Sequence, residues 1–188
     1  MERWLKNVAQ LQREYPADLL LVDNSPGIDY IEKVKGYCKK IGITKYKIKH
    51  IDFDQRMEVT KKDMRVEASQ EIIRQEVLSY NFDAWFSWEC DQIIPTDALS
   101  KLVKLMKNGN FMMVVANSWA RNNPREFNPD MGVTLIKRAC LKKHGFSPKR
   151  GIDHWQGGEA WFKERVLRSG GNYIDVYGLI KPIYHLNE

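Results

Sequence analysis

The chain contains little cysteine and no long apolar run. Its three cysteines, Cys38, Cys90 and Cys140, are widely spaced and form no Cys-x-x-Cys pair. This spacing argues against a disulfide framework and against a cysteine-based zinc site, so we expect a reducing, cytoplasmic compartment. No apolar run approaches the roughly 18–20 residues of a membrane span, and no secretory signal precedes the first predicted helix. We therefore expect any contact with a membrane to be peripheral.

Long runs of one charge are also absent. The net charge of +6 suits anionic partners such as a diphosphate, a nucleic acid or an acidic lipid surface. The lysine clusters are short, however, as is typical of a solvated surface. A nucleic-acid-binding module is suggested only by the net charge, because the sequence contains no nucleic-acid-binding motif. We therefore expect no nucleic-acid partner.

The composition is that of a globular protein with a packed core. A chain of 188 residues, 43% of them hydrophobic, is long enough to bury such a core. No internal repeat or linker divides the sequence. We therefore expect one domain over residues 1–188.

Apolar runs alternate with amphipathic segments along the chain. The 3.6-residue spacing predicts helices at 1–14, 29–41, 58–80, 97–107, 137–144 and 159–168. Short apolar or alternating runs predict strands at 19–22, 45–51, 83–88, 111–116, 132–136, 173–177 and 180–185. Residues 120–131 and 147–158 read as irregular loops. This alternation predicts an α/β fold with a mostly parallel central sheet.

Acidic side chains follow two of the predicted strands. Asp23 comes after the first strand, and Glu89 and Asp91 come after the strand at 83–88. Ligands of open α/β sheets bind beyond the carboxyl ends of the strands. Two carboxylates two residues apart on an extended segment face the same side, where they would bind a hard divalent cation that bridges diphosphate oxygens. The alternative is that these are solvated turn residues.

Four segments, in this order, resemble glycosyltransferase family two and its GT-A relatives. They are Leu19–Ser25, Phe86–Pro95, Gly132–Arg138 and Trp155–Phe162. They are similar to the nucleotide-cupping strand and turn, the metal-binding strand end, the strand before the acceptor-side elements, and the Gly-Gly-Glu helix start of that family. The resemblance covers nearly the whole chain.

The resemblance implies a GT-A-like, Rossmann-like sandwich that transfers a hexose-type sugar. The donor would be a nucleotide-diphosphate sugar, with Mn²⁺ or Mg²⁺ on the diphosphate. The acceptor would be a sugar, a polysaccharide or a lipid-linked molecule.

The resemblance also implies roles for residues on the donor side. Asp23 and Ser25 would contact the base or ribose, and Glu89 would lie near the ribose or the metal-bound waters. Arg65 would lie near the phosphates, although a solvated helix face explains it as well. Asp91 and His185 would ligate the metal, a combination of carboxylate and imidazole that Mn²⁺ accepts. A lone histidine such as His185 is otherwise more often structural.

On the acceptor side, the resemblance makes Glu159 the general base. It would deprotonate the acceptor hydroxyl as the anomeric carbon is attacked; the alternative is a helix-start glutamate favoured by the helix dipole. Trp155, Trp161 and His154 would line the acceptor pocket, with core packing the stronger interpretation for Trp161.

The sequence departs from the family at two places. Ala160 stands where the family has Asp or Asn, which favours a non-catalytic GT-A-like binding or assembly protein as the alternative function. The chain also opens in a helix rather than in the family's first strand, as in an N-terminally shortened member. We therefore expect the exposed strand 19–22 to pair with a second copy, or donor binding to be weak, unless the 1–14 helix replaces the absent wall.

Overall fold

A computed structural model describes residues 1–52, 62–116, 118–120, 123–128, 131–147 and 158–186. The helices are α1 (Glu2–Glu14), α2 (Asp29–Ile41), α3 (Lys62–Ser79), α4 (Ala98–Asn108), α5 (Arg138–Lys143) and α6 (Gly158–Arg168). The strands are β1 (Leu19–Asp23), β2 (Tyr46–His50), β3 (Ala84–Trp88), β4 (Gln92–Ile93), β5 (Met113–Ala116), β6 (Ser118–Ala120), β7 (Asn123–Asn128), β8 (Val133–Lys137), β9 (Tyr173–Val176) and β10 (Tyr184–His185).

The α/β class is confirmed, but the central sheet is small and mixed rather than mostly parallel. Its strand order is β3-β8-β5-β9, in which β8 runs antiparallel to both β3 and β5, and only β5 and β9 are parallel. Strands β1 and β2 form a separate parallel pair. The direction of these strands could not be predicted from the sequence, because a strand buried on both faces carries a continuous apolar run in either direction.

The central sheet is buried on both faces. Along β5, Val114 and Ala116 join the core cluster beneath α4, whereas Met113 and Val115 join the cluster beneath α3, α5 and α6. The first four residues of β8 are also buried. Alternate side chains of a strand point to opposite faces, so helices cover the sheet on both sides.

A third core cluster lies between α1, α2 and the β1–β2 pair. Trp4 is 3% exposed, and its ring centroid lies 5.1 Å from that of Trp88 at the end of β3. Leu19 and Leu21 of β1 pack against the same cluster. The apolar face of α1 thus joins the two sheets. Within the described residues β1 hydrogen-bonds to β2 alone, and its pairing with a second copy stays a prediction.

The predicted helices agree with the structure in type and position, and α2 shows why. Gly42 follows it with φ of 85°, and its N–H donates to Cys38 O at 2.9 Å. Glycine adopts this left-handed conformation without strain and therefore ends the helix. None of the helices in the described part of the chain is long and apolar enough to cross a membrane.

One predicted loop and one predicted strand were wrong. Residues 120–131, expected as a loop, contain β7, which pairs antiparallel with β6. The predicted strand 180–185 is reduced to Tyr184–His185, which pairs with the unpredicted β4. Both differences arise from pairing between strands, which depends on partners that local composition does not identify. The predicted loop 147–158 and the start of the predicted helix 58–80 lie mostly outside the described residues.

Candidate functional site

Asp23 and His50 are the last residues of two neighbouring parallel strands. The register pairs them directly, and Nδ1 of His50 donates to Oδ2 of Asp23 at 2.9 Å. The Ser25 hydroxyl lies 2.9 Å from each Asp23 oxygen. Asp23 and His50 side chains are only 12% and 22% exposed. The strand ends therefore hold the Asp23 carboxylate in one orientation, as a group that orients a ligand must be held.

The turn after β3 gathers the second polar group. Gln92 is completely buried, and its Nε2 lies 2.7 Å from Oε2 of Glu89 and 3.2 Å from Nε2 of His185. The Trp88 indole N–H donates to the Gln92 carbonyl at 3.0 Å. The β4–β10 pairing brings His185 here from the far end of the sequence. A carboxylate oxygen and an imidazole nitrogen therefore converge on one amide group.

Gly132 packs directly against this group. The Glu89 N–H donates to the Gly132 carbonyl at 3.0 Å. A Cβ on Gly132 would lie 2.7 Å from Nε2 of Gln92 and 2.8 Å from Oε2 of Glu89. A side chain at this position would therefore have to displace the Gln92 amide or the Glu89 carboxylate.

Glu159 reaches the same place from α6. Its Oε1 accepts from the Gln70 side-chain amide at 2.7 Å, and its Oε2 accepts from the Met131 N–H at 3.3 Å. Because Gly132 is the next residue, the Glu159 and Glu89 carboxylates lie against consecutive residues just before β8. Both Glu159 oxygens act as acceptors, as those of an ionised carboxylate do.

Tyr30 on α2 interacts electrostatically with residues from both strand ends. Desolvation of the phenol raises the pKa of Tyr30, although the residue as a whole is 37% exposed, and Cys90, Asp23 and Tyr37 raise it further. Desolvation likewise raises the pKa of the Cys90 thiol, although Cys90 is an exposed residue, and neighbouring Asp91 raises it further.

Asp91 and His185 come together through the backbone. The Leu186 N–H donates to the Asp91 carbonyl at 2.5 Å, next to the pairing of His185 with Gln92. Within the described residues, no three side chains of His, Cys, Asp or Glu form a group that could hold a metal. The oxygen and nitrogen donors present near Gln92 nevertheless match the ligand types of a borderline divalent cation. The metal-ligand assignment of Asp91 and His185 stays a prediction.

The remaining predicted residues are less informative. Arg65 lies on α3, five residues before Gln70, and its carbonyl accepts from the Ser69 hydroxyl at 2.8 Å. Trp161 is half-buried on α6, with the Arg165 guanidinium 5.2 Å from its ring centroid. Trp155 and His154 lie outside the described residues.

The sequence reasoning did not single out His50, Gln70 or Gln92, and it placed Gly132 in a motif without assigning it a role. His50 had a usable signal, because it ends a predicted strand parallel to the one that ends in Asp23. Gln70 and Gln92 had none, since Glu159 and His185, which they contact, are 89 and 93 residues away along the chain.

A cavity of about 450 Å³ lies elsewhere, between the ends of α1 and α2. Arg13, Pro16, Gly42, Lys45 and Phe82 contribute to its lining. It opens at the amino-terminal ends of β1 and β2, opposite the polar groups described above.

No protein-family model and no curated protein sequence matches the chain. Among the solved structures to which the chain is similar is one described as a glycosyltransferase involved in the glycosylation of the major capsid of PBCV-1. The TM-score is 0.49 and the identity 15%, over 86% of this chain and 83% of that chain. At this level the likeness establishes neither a family nor an activity for the chain.

Proposed function

We propose that the chain is a GT-A-like glycosyltransferase that moves a sugar from a nucleotide-diphosphate donor to a carbohydrate or lipid-linked acceptor. The observation that carries the proposal is the position of three polar groups around the carboxyl ends of β1, β2 and β3. These are the Asp23–Ser25–His50 group, the Glu89–Gln92–His185 group and Glu159. Strand ends of this kind are where α/β sheets bind ligands.

On the donor side, the Asp23 carboxylate is held by Ser25 and His50 at the end of β1. In the proposal this group contacts the base or ribose, and Arg65 on α3 faces the phosphates. Glu89, in the turn after β3, would lie near the ribose or the metal-bound waters. The donor thus spans from the β1–β2 pair to the end of β3.

Asp91 and His185 would hold Mn²⁺ or Mg²⁺ at the end of β3. When bound there, the cation would supply positive charge to the diphosphate oxygens of the donor. Two features of the chain support the fit: the donors Glu89 and His185 converge on Gln92, and the buried Oε1 of Gln92 has no hydrogen-bond partner among the described residues.

Glu159 is the proposed general base. It would take the proton from the acceptor hydroxyl as that oxygen attacks the anomeric carbon. An ionised carboxylate has about four acceptor positions, so the contacts with Gln70 and Met131 N–H do not by themselves prevent proton uptake. The two contacts do fix the direction in which the Glu159 carboxylate points. Trp155, which lies outside the described residues, is proposed to contact the acceptor.

One observation favours the second candidate, a non-catalytic GT-A-like binding or assembly protein. The same two contacts tie α6 to α3 and to the start of β8, which is what a structural glutamate would do. Ala160 follows it. Donor binding is common to both candidates, and sugar transfer separates them.

A thermal-shift screen of nucleotide-diphosphate sugars, with and without Mn²⁺, tests the proposal. We expect at least one donor to raise the melting temperature only when Mn²⁺ is present, because a ligand that binds the folded state stabilises it. The shift should disappear in Asp91→Ala. It should persist in the control Asp18→Ala, since Asp18 precedes β1 at the opposite end of the strand. A shift that Asp91→Ala retains would overturn the metal assignment.

A further inference from the structure

Gln92 has no assigned role, although its side-chain amide is the most enclosed polar group of the candidate site. It is 0% exposed and contacts Glu89, His185 and the position beside Gly132. A buried amide costs free energy unless its donors and acceptors are used.

The contacts fix the orientation of the amide. A carboxylate only accepts hydrogen bonds, so the Gln92 atom 2.7 Å from Oε2 of Glu89 is the nitrogen. The same nitrogen lies 3.2 Å from Nε2 of His185. Because an amide nitrogen only donates, Nε2 of His185 must accept, and the ring proton must be on Nδ1.

The contacts with Glu89 and His185 do not involve the Gln92 amide oxygen. Oε1 of Gln92 is buried and has no hydrogen-bond partner among the described residues. A half-turn of the amide would exchange the oxygen with the nitrogen. It would then place three acceptors together: Oε1 of Gln92, Oε2 of Glu89 and Nε2 of His185. Three acceptors repel one another unless a cation lies among them.

We propose that Gln92 is a positioning residue with two settings. Without a cation, its N–H groups hold Glu89 and His185 together and keep His185 protonated on Nδ1. With a divalent cation on Asp91 and His185, the amide turns and its oxygen joins these two residues as a ligand, beside Glu89. The second setting rests on the metal dependence in the proposed function; the first does not.

The first setting is tested without metal or donor, by ¹⁵N NMR of the histidine rings. The His185 signals are identified by their loss in His185→Asn. We expect the Nδ1–H tautomer in the unsubstituted protein and loss of that preference in Gln92→Met, which keeps the length of the side chain but cannot donate. Gln70→Met is the matched control, because Gln70 donates to Glu159 and not to a histidine. An Nδ1–H tautomer that Gln92→Met preserves would overturn the first setting, whatever the protein's activity.

The second setting is tested by Mn²⁺ titration calorimetry. Loss of a ligand in Gln92→Met should weaken Mn²⁺ binding about tenfold or more, the scale on which ligand-shell groups act. Gln92→Glu replaces the amide oxygen with a carboxylate oxygen, so it should bind Mn²⁺ at least as tightly as the unsubstituted protein. If Gln92→Met does not fold, the comparison of Gln92→Glu with the parent decides. Equal or tighter binding by Gln92→Met, weaker binding by Gln92→Glu, or no binding by the parent would contradict the second setting.

Discussion

Nδ1 of His50 donates to Oδ2 of Asp23 at 2.9 Å, across the ends of two parallel strands. The Ser25 hydroxyl contacts the same carboxylate at 2.9 Å. This group depends on the β1–β2 register, which places Asp23 opposite His50. The Asp23 carboxylate thus both joins the ends of β1 and β2 and forms part of the candidate binding site.

Asp23→Ala removes the acceptor for both contacts. Leaving two partly buried donors without it should lower the free energy of unfolding by about 1–3 kcal/mol and remove donor binding. Ser25→Ala deletes only one of the contacts and should have a smaller effect on both quantities. Urea unfolding and donor titration measure them. Unchanged stability in Asp23→Ala would mean that the carboxylate does not join the two strand ends.

Glu159→Gln tests the proposed general base. It keeps the size of the side chain, so donor binding should remain, while transfer should fall roughly 10²-fold or more, the usual contribution of a general base. Glu164→Gln is a matched control on the same helix, where Glu164 pairs with Arg168. Initial rates of sugar transfer provide the measurement. If both variants transfer at the parent rate, Glu159 serves only to hold α6 in place.

His144 predicts a pH dependence of stability. The side chain is 6% exposed, and burial lowers its pKa, with the positive charges of Arg165, Lys143 and Arg74 lowering it further. Its Nε2 lies 3.0 Å from the Ser169 hydroxyl. Because the folded pKa is below the unfolded value of about 6.5, the unfolded chain binds more protons below that pH. Stability should be full above about pH 6.5 and fall as the pH drops below it.

Comparison with His144→Gln isolates this contribution, since the other titrating groups are common to both proteins. Urea unfolding between pH 7.5 and 5 should show the parent losing stability relative to the variant as the pH falls. A difference between the two that does not change with pH would contradict the prediction.

Two glycines should respond in opposite directions to substitution by alanine. Gly36 is exposed in the middle of α2, and a Cβ there would meet nothing within 4 Å. Gly36→Ala should raise the free energy of unfolding by about 0.5–1 kcal/mol. A Cβ on Gly158 would lie 2.7 Å from the Phe146 carbonyl oxygen. Gly158→Ala should therefore lower stability, by about 1–3 kcal/mol. Thermal unfolding of both variants checks the pair, and the same sign for both would refute it.

The helices were predictable because their signals are local. The apolar spacing of α1 and the left-handed glycine after α2 both act within a few residues. Strand direction was not predictable, because β8 carries the same buried run whether it lies parallel or antiparallel to β3. The two-residue strand β4 exists through its pairing with β10, far along the chain.

The candidate site divides in the same way. Asp23 and Glu89 were identified because each follows an apolar strand, where α/β proteins place ligands. Gln92 was not, since a buried glutamine has meaning only beside its partner His185. Gly132 was noted within a motif, but the reason for a glycine at this position is visible only in the structure, where Glu89 and Gln92 pack against it.

The most direct test of the central claim is the release of nucleoside diphosphate from nucleotide-diphosphate sugars by the purified protein. We predict Mn²⁺-dependent release with at least one donor, accelerated by a sugar or lipid-linked acceptor, abolished in Asp91→Ala and preserved in Asp18→Ala. Release from no donor in a panel of common nucleotide sugars and acceptors, or release that depends on neither Mn²⁺ nor Asp91, would contradict the proposed metal-dependent glycosyltransferase.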